Sequence, residues 1–175
     1  MKNGFIQLYT GNGKGKTTAA IGLAIRALGA GLKVAVFQFL KGGRFSNSEE
    51  KIIQSLSGID LIRFKQTTPL FDKTVTGAAL KMQVVKDLKI VASYIKNKNY
   101  DLIVLDELTH LIDLGLIEEK DIFAMLDLKP KNLELVITGR NASKALLKKA
   151  DLVTEMKEVK HPYKMGIKAR RGIDY

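Results

Sequence analysis

The sequence predicts an α/β domain, a mostly parallel β-sheet flanked by helices. Three observations carry this expectation. Short apolar runs alternate with longer segments of helical spacing. A glycine-rich turn follows the first apolar run and opens the first helical segment. A later apolar run, Leu102-Ile103-Val104-Leu105, ends on two carboxylates, Asp106 and Glu107. At 175 residues the chain has the usual size of one domain, so residues 1–175 are expected to share one core.

Each element has its own signal. Phe5–Tyr9 is a short apolar run before the glycine-rich turn and reads as a strand. Thr17–Ala30 places Ile21, Ala24, Ile25 and Leu28 at helical spacing and stops at Gly29-Ala30-Gly31. Lys33–Phe39, with Val34, Val36, Phe37 and Phe39, reads as a buried strand. Ser46-Asn47-Ser48-Glu49 is a capping-box pattern that starts a helix running to about Leu56. Asp60–Phe64 is a candidate strand, and Thr76–Lys96 a long amphipathic helix. Leu102–Leu105 reads as a central strand. A helix near Glu118–Leu126, a strand at Leu133–Thr138, a helix at Ser143–Ala150 and a strand at Leu152–Met156 complete the alternation. Crossovers between parallel strands are right-handed, and ligands of such sheets sit beyond the carboxyl ends of the strands.

Composition excludes several classes of function. Hydrophobic residues make up 46% and charged residues 27%, which rules out wholesale disorder. With no Cys, there is no disulfide scaffold, thiolate metal site, iron–sulfur cluster or Cys nucleophile, and two His (His110 and His161) cannot form a His-rich centre. No apolar run reaches the ~18 residues of a membrane span, and the N-terminal residues lack a signal-peptide core. The chain is therefore expected in the cytosol. The net charge is +11, and residues 140–171 alone hold ten Lys/Arg against three acids. Such a field attracts nucleotides, phosphorylated cofactors or nucleic acid, or simply forms a solvated surface. A single aromatic residue, Tyr163, lies among these charges, short of the interleaving that a single-strand-binding surface requires.

The sharpest motif is Thr10-Gly11-Asn12-Gly13-Lys14-Gly15-Lys16-Thr17-Thr18, set between the first strand and the first helix. It reads as a phosphate loop. Glycines let consecutive N–H groups point inward, and the helix N-terminus adds partial positive charge. Lys16 can place an ammonium on phosphate oxygens, and the Thr17 hydroxyl can ligate Mg2+ (or Mn2+) beside them. Gly11, Asn12, Gly13, Lys14, Gly15, Lys16, Thr17 and Thr18 are the candidate nucleotide-binding residues. The match to G-x-x-x-x-G-K-[ST] is incomplete, because Thr10 stands at the first glycine position. The G-x-G-x-G spacing of Gly11, Gly13 and Gly15 does not fit a dinucleotide turn. Together the loop and the alternation imply a RecA-like phosphate-loop domain.

In such a domain an acid at the end of a buried strand meets Mg2+, directly or through water. Asp106 and Glu107 are both candidates, and spacing does not choose between them. A Glu here could also activate water for ATP hydrolysis. Weaker signals surround these motifs. Arg140, closing Thr138-Gly139-Arg140, reaches phosphate or a partner subunit or is a surface charge. Lys41, in Gln38-Phe39-Leu40-Lys41-Gly42, serves an anionic ligand or solvent. Arg26 reads as a solvated helix charge, His161 as a surface residue and His110 as a structural hydrogen-bonding group.

The chain resembles the ATP:corrinoid adenosyltransferases of the phosphate-loop type over nearly its whole length. The resemblance rests on residues 10–20 and on Arg26-Ala27-Leu28-Gly29-Ala30-Gly31, Gln38-Phe39-Leu40-Lys41-Gly42 and Val104-Leu105-Asp106-Glu107-Leu108-Thr109. It continues through Ile137-Thr138-Gly139-Arg140, Val159-Lys160-His161 and Gly172-Ile173-Asp174-Tyr175. It implies that cobalt(I) of a reduced corrinoid attacks C5′ of ATP, which lies reversed in the loop, and that triphosphate leaves intact. Lys16, Thr17 and Glu107 would be the catalytic residues. By the same resemblance Thr17 and Glu107 would hold Mg2+, with Asp106 in close support. A homodimer and a reducing flavoprotein partner are implied, with no role for nucleic acid.

Two departures stand out. Relatives often carry a Trp-containing aromatic segment that displaces the lower cobalt ligand. This chain has no Trp, and the corresponding stretch offers only Phe64 and Phe71. The chain also starts just before its first strand, without the N-terminal extension that covers the active site in some relatives. From the motifs alone, an ATP-hydrolysing motor, a nucleotide-binding regulator and a small-molecule kinase remain alternatives.

Overall fold

A computed structural model describes residues 2–41, 48–64, 76–97 and 99–174. The elements run β1 (Ile6–Thr10), α1 (Lys16–Gly29), β2 (Val34–Gln38), α2 (Ser48–Ser55), β3 (Ile59–Arg63), α3 (Gly77–Lys96), β4 (Leu102–Asp106), α4 (His110–Asp113), α5 (Glu119–Leu126), β5 (Glu134–Thr138), α6 (Lys144–Lys149) and β6 (Leu152–Glu155), then a 3₁₀ turn at Pro162–Met165. Every helix and strand expected from the sequence is present, with ends shifted by one or two residues. The short α4 and the 3₁₀ turn are additions: four residues each give no readable periodicity. Ser46 and Asn47 of the capping-box pattern lie outside the described residues, although the helix begins as expected at Ser48.

The strands form one six-stranded sheet in the order β3-β2-β4-β5-β1-β6. All five pairings are parallel, so the sheet is wholly and not just mostly parallel. Period-2 alternation divides its side chains between two faces. Ile6, Leu8, Ala35, Phe37, Ile103, Leu105, Leu135 and Ile137 join one buried cluster with α3 and α5. Val34, Val36, Leu102, Val104 and Val136 join the other, beneath α1. Helix α1 meets the sheet through Ala20, Ala24 and Ala27, spaced for one helical face and small enough for close approach. Because every strand runs the same way, the loop after β1, the acids after β4 and the residues after β2 and β5 all emerge at one edge.

Helix α3 buries Leu80, Val84, Asp87, Val91 and Ile95 along one stripe, with the Thr76 hydroxyl as its N-cap on the Ala79 N–H. Asp87 is the exception in that apolar stripe. It is 2% exposed, Gln83 Nε2 donates to its Oδ1 at 2.9 Å, and its Oδ2 has no hydrogen-bond partner. Burial raises the carboxyl above its ordinary value, and the Gln83 hydrogen bond opposes this less strongly. The folded state therefore holds this proton more tightly than the unfolded chain does. Stability is lost as pH rises from the ordinary carboxylate value through the raised one. Asp87→Asn should abolish that loss. In urea unfolding, the advantage of the variant over the parent protein should grow with pH across this window and then level off.

Candidate active site

The loop after β1 is shaped by glycines that other residues could not replace. Gly11 and Gly15 sit at φ +97° and +117°, in the left-handed region. Gly13 lies so close to the chain after β6 that a Cβ there would be 2.7 Å from the Met156 carbonyl oxygen. The Gly13 N–H donates to that oxygen at 2.7 Å, and the Met156 N–H donates to Thr10 O at 2.8 Å. The loop is thus clamped between α1 and the end of β6. Helix α1 begins at Gly15 with no side-chain cap and no acid in its first turn, so its positive end faces outward unneutralised. Lys16 Nζ donates to the carbonyls of Gly11 and Gly13 at 2.6 and 2.7 Å. Burial lowers its pKa, with Arg140 adding to the effect and Glu107 and Asp106 opposing it.

Two strands away, Asp106 is fully buried. Its Oδ1 accepts from the Thr17 hydroxyl at 2.8 Å and from the Thr138 hydroxyl at 2.7 Å. Its Oδ2 lies 3.5 Å from Gln38 Nε2 and 3.7 Å from Lys41 Nζ. Burial raises its carboxyl above the ordinary range, and Lys41 and the two hydroxyls pull in the other direction. Glu107 follows at φ +62°, a conformation that costs a non-glycine residue roughly 1–2 kcal/mol. The Thr138 hydroxyl compensates by accepting the Glu107 N–H at 2.9 Å. Thr109 Oγ1 donates to Arg140 O at 2.7 Å, and a Cβ on Gly139 would fall 1.9 Å from that same Oγ1. The ends of β4 and β5 are therefore locked together at close range.

Loop and acids open on one cavity of about 970 Å³. On the side of the strand ends and the loop its lining includes Lys16, Thr17, Lys41, Glu107, His110 and Arg140. The facing wall is the C-terminal segment, including His161, Tyr163, Ile167 and Arg170. That segment is pinned to the loop: Lys14 Nζ donates to Ile173 O at 2.7 Å and pairs with the Asp174 carboxylate, which also accepts the Arg170 N–H at 2.9 Å.

The expected site residues thus converge, with several corrections. Asp106 meets the Thr17 hydroxyl, a pairing that spacing left open, while the partly exposed Glu107 faces the cavity. His161 is half-buried on the cavity wall, not simply on the surface, and its Nδ1 accepts the Tyr163 N–H at 3.1 Å. His110 edges the cavity with Nδ1 3.8 Å from Asp113 Oδ2, too far for the structural hydrogen bond expected of it. Arg26 is exposed, as expected. Phe71 lies outside the described residues. Gln38 and Thr138 belong to motifs whose spacing assigns them no role. Their signal was that each ends a buried apolar run with a polar side chain.

A family model described as "ATP:corrinoid adenosyltransferase BtuR/CobO/CobP" matches residues 2–175. The chain belongs to the ATP:corrinoid adenosyltransferase family. It is 34% identical to the corrinoid adenosyltransferase of Escherichia coli strain K12, over 99% of this chain and 87% of that protein. The corrinoid adenosyltransferase CobA of Salmonella typhimurium matches at 34% with the same coverage. The Pseudomonas aeruginosa enzyme of the same name is 33% identical over 99% of this chain and 85% of its own length. Among solved structures, the flagellar accessory protein FlaH of Methanocaldococcus jannaschii shares the fold. Its TM-score is 0.59 at 18% identity, over 89% of this chain and 72% of that one. Membership makes this adenosyltransferase an enzyme of ATP-dependent adenosyl transfer to a corrinoid.

The oxygen donors beside the loop fit a hard divalent cation. The Thr17 hydroxyl and the carboxylates of Asp106 and Glu107 are the donor types Mg2+ or Mn2+ takes. Among the described residues no group of three or more His, Cys, Asp or Glu could hold a metal ion by itself. A partial set of this kind suits a cation that shares its shell with phosphate and water. Gln38 Oε1, buried and without a donor next to Asp106, offers an acceptor for such a water.

Thr138 is the joint of this arrangement. Thr138→Val removes a donor from Asp106 and leaves the Glu107 N–H without its acceptor. The variant should lose about 1–3 kcal/mol of unfolding free energy, measured by urea denaturation, with its far-UV circular dichroism unchanged.

Proposed function

We propose that the enzyme transfers the 5′-deoxyadenosyl group of ATP to cobalt(I) of a reduced corrinoid, cob(I)alamin or a near relative, and releases triphosphate intact. The observation that carries this reading is the shared cavity. A polyanion-binding loop and an acid pair open on a space of about 970 Å³, larger than a triphosphate needs, and part of its far wall is the apolar side chains of Tyr163 and Ile167. The cobalt(I) lone pair forms the bond to C5′. The C5′–O5′ bond breaks, its electron pair leaves with triphosphate, and cobalt rises formally from I to III. No phosphoanhydride bond is cut.

What this asks of the protein is electrostatic. The leaving triphosphate gains charge, and Lys16, the loop amides and the uncapped end of α1 supply fixed positive charge where it develops. The loop also holds the nucleotide still while C5′ is presented, which lowers the entropic cost of alignment. Thr17, Asp106 and Glu107 would hold Mg2+, which when bound neutralises part of the phosphate charge. The cations of the C-terminal segment line the same cavity, which supports a small polyanion as ligand in place of nucleic acid.

The reading extends to a homodimer acting in the cytosol, in synthesis or salvage, and to a reducing flavoprotein that supplies cobalt(I). Family resemblance supports both. Among the described residues no helix is long and apolar enough to cross a membrane.

The test is anaerobic incubation with ATP, Mg2+ and chemically reduced corrinoid. Expected products are an adenosyl–cobalt spectrum and one equivalent of triphosphate; ADP and phosphate would overturn the reading. Lys16→Ala should cost at least about 2–3 kcal/mol of transition-state stabilisation, roughly 10²-fold in turnover. Near-normal turnover in that variant would remove the loop from the mechanism.

A further inference from the structure

The acid pair already faces a cation of the protein's own. Lys41 follows β2, and Leu40 before it adopts φ +54°, unusual for a leucine. This turn carries the Lys41 ammonium back over the sheet edge, 3.4 Å from Glu107 Oε1 and 3.7 Å from Asp106 Oδ2. The side chain is 20% exposed, so most of it is withdrawn from water. Burial opposes its charge, yet Asp106 and Glu107 together outweigh burial and strengthen its hold on the proton, with Glu49 adding to them. Lys16 Nζ, also at this edge, is held by the carbonyls of Gly11 and Gly13. Among the described residues, Lys41 is the cation paired with both carboxylates, at distances longer than a tight charge-assisted hydrogen bond.

A divalent metal would use these same two carboxylates, and two cations cannot share them at close range without strong repulsion. We propose that Lys41 is an exchangeable counter-ion of the acid pair: it competes with the divalent cation for Asp106 and Glu107, and once displaced it pairs with the triphosphate of the nucleotide. Building on the nucleotide and metal assignment above, it adds a residue and an order of events. Metal alone has to evict a partly buried ammonium. Metal arriving with nucleotide brings phosphate oxygens that receive that ammonium. Binding of metal and of triphosphate is therefore positively coupled through Lys41.

The measurement is Mn2+ binding to nucleotide-free protein, followed by electron paramagnetic resonance, for the parent protein and for Lys41→Met, Lys41→Gln and Lys41→Arg. The two neutral variants should bind Mn2+ at least about tenfold more tightly than the parent. Lys41→Arg, which keeps the charge, should stay near the parent value. Adding inorganic triphosphate should tighten Mn2+ binding strongly in the parent and much less in the neutral variants. Adding Asp106→Asn to Lys41→Met should abolish the gain, which locates the ion at the acid pair. Equal or weaker Mn2+ binding in both neutral variants, or a gain that Lys41→Arg shares, overturns the proposal. No step of this experiment needs corrinoid or turnover, so it can succeed where the assay for adenosyl transfer fails, and the reverse.

Discussion

One buried carboxylate organises the working edge of this protein. Asp106 receives a hydroxyl from the first turn of α1 and another from the end of β5, so its two partners come from different crossovers of the fold. Strand β5 lies between β4 and β1 in the sheet, which is what allows Thr138 to stand between the acid pair and the phosphate loop. Remove the side-chain oxygen and both hydroxyls lose their acceptor; move β5 by one register and neither Asp106 nor the Glu107 amide is reached. A charge so deep in the protein is costly unless it is paired and hydrogen-bonded. The surrounding set of Thr17, Thr138, Gln38 and Lys41 meets that requirement from three segments, α1, β5 and β2 with the turn after it.

The same network explains why strained backbone gathers here. Leu40, Glu107 and Asn141, the non-glycine residues with positive φ among those described, each lie just beyond a strand end at this edge. Such conformations persist where surrounding contacts over-determine them. For Glu107 the determining contact is visible: its amide is taken by Thr138. The result is a rim whose backbone is held at each strand end, so that each functional side chain starts from a defined position. Fixed charges that need no rearrangement are the most effective kind for stabilising a leaving polyanion.

Much of this could be read from the chain. The alternation of apolar runs and helical stretches sufficed for the order of elements, because every strand carries apolar residues and β2, β4 and β5 are buried along their whole length. The phosphate loop was legible because its glycines are required by backbone geometry, as the positions of Gly11, Gly13 and Gly15 bear out. What could not be read was pairing across the sheet. Sequence places Asp106 and Glu107 side by side, but only the register of β4 against β2 and the position of β5 decide that Asp106 turns inward toward Thr17 and Thr138. The roles of Gln38 and Thr138 were hidden for the same reason. The place of His161 on the cavity wall is not legible either, because a charged tail gives no sign that it will fold back on a loop more than a hundred residues earlier.

That folded-back tail has a kinetic side. The link from Lys14 to Asp174 spans 160 positions and closes nearly the full circuit of the polypeptide. Contacts so distant along the chain form late, after the entropy of the long circuit has been overcome by everything between. The inner wall of the cavity can be in place while its outer wall is still unattached. Gripping a nucleotide between both walls thus draws on a contact whose closure carries one of the larger loop-entropy costs in the molecule.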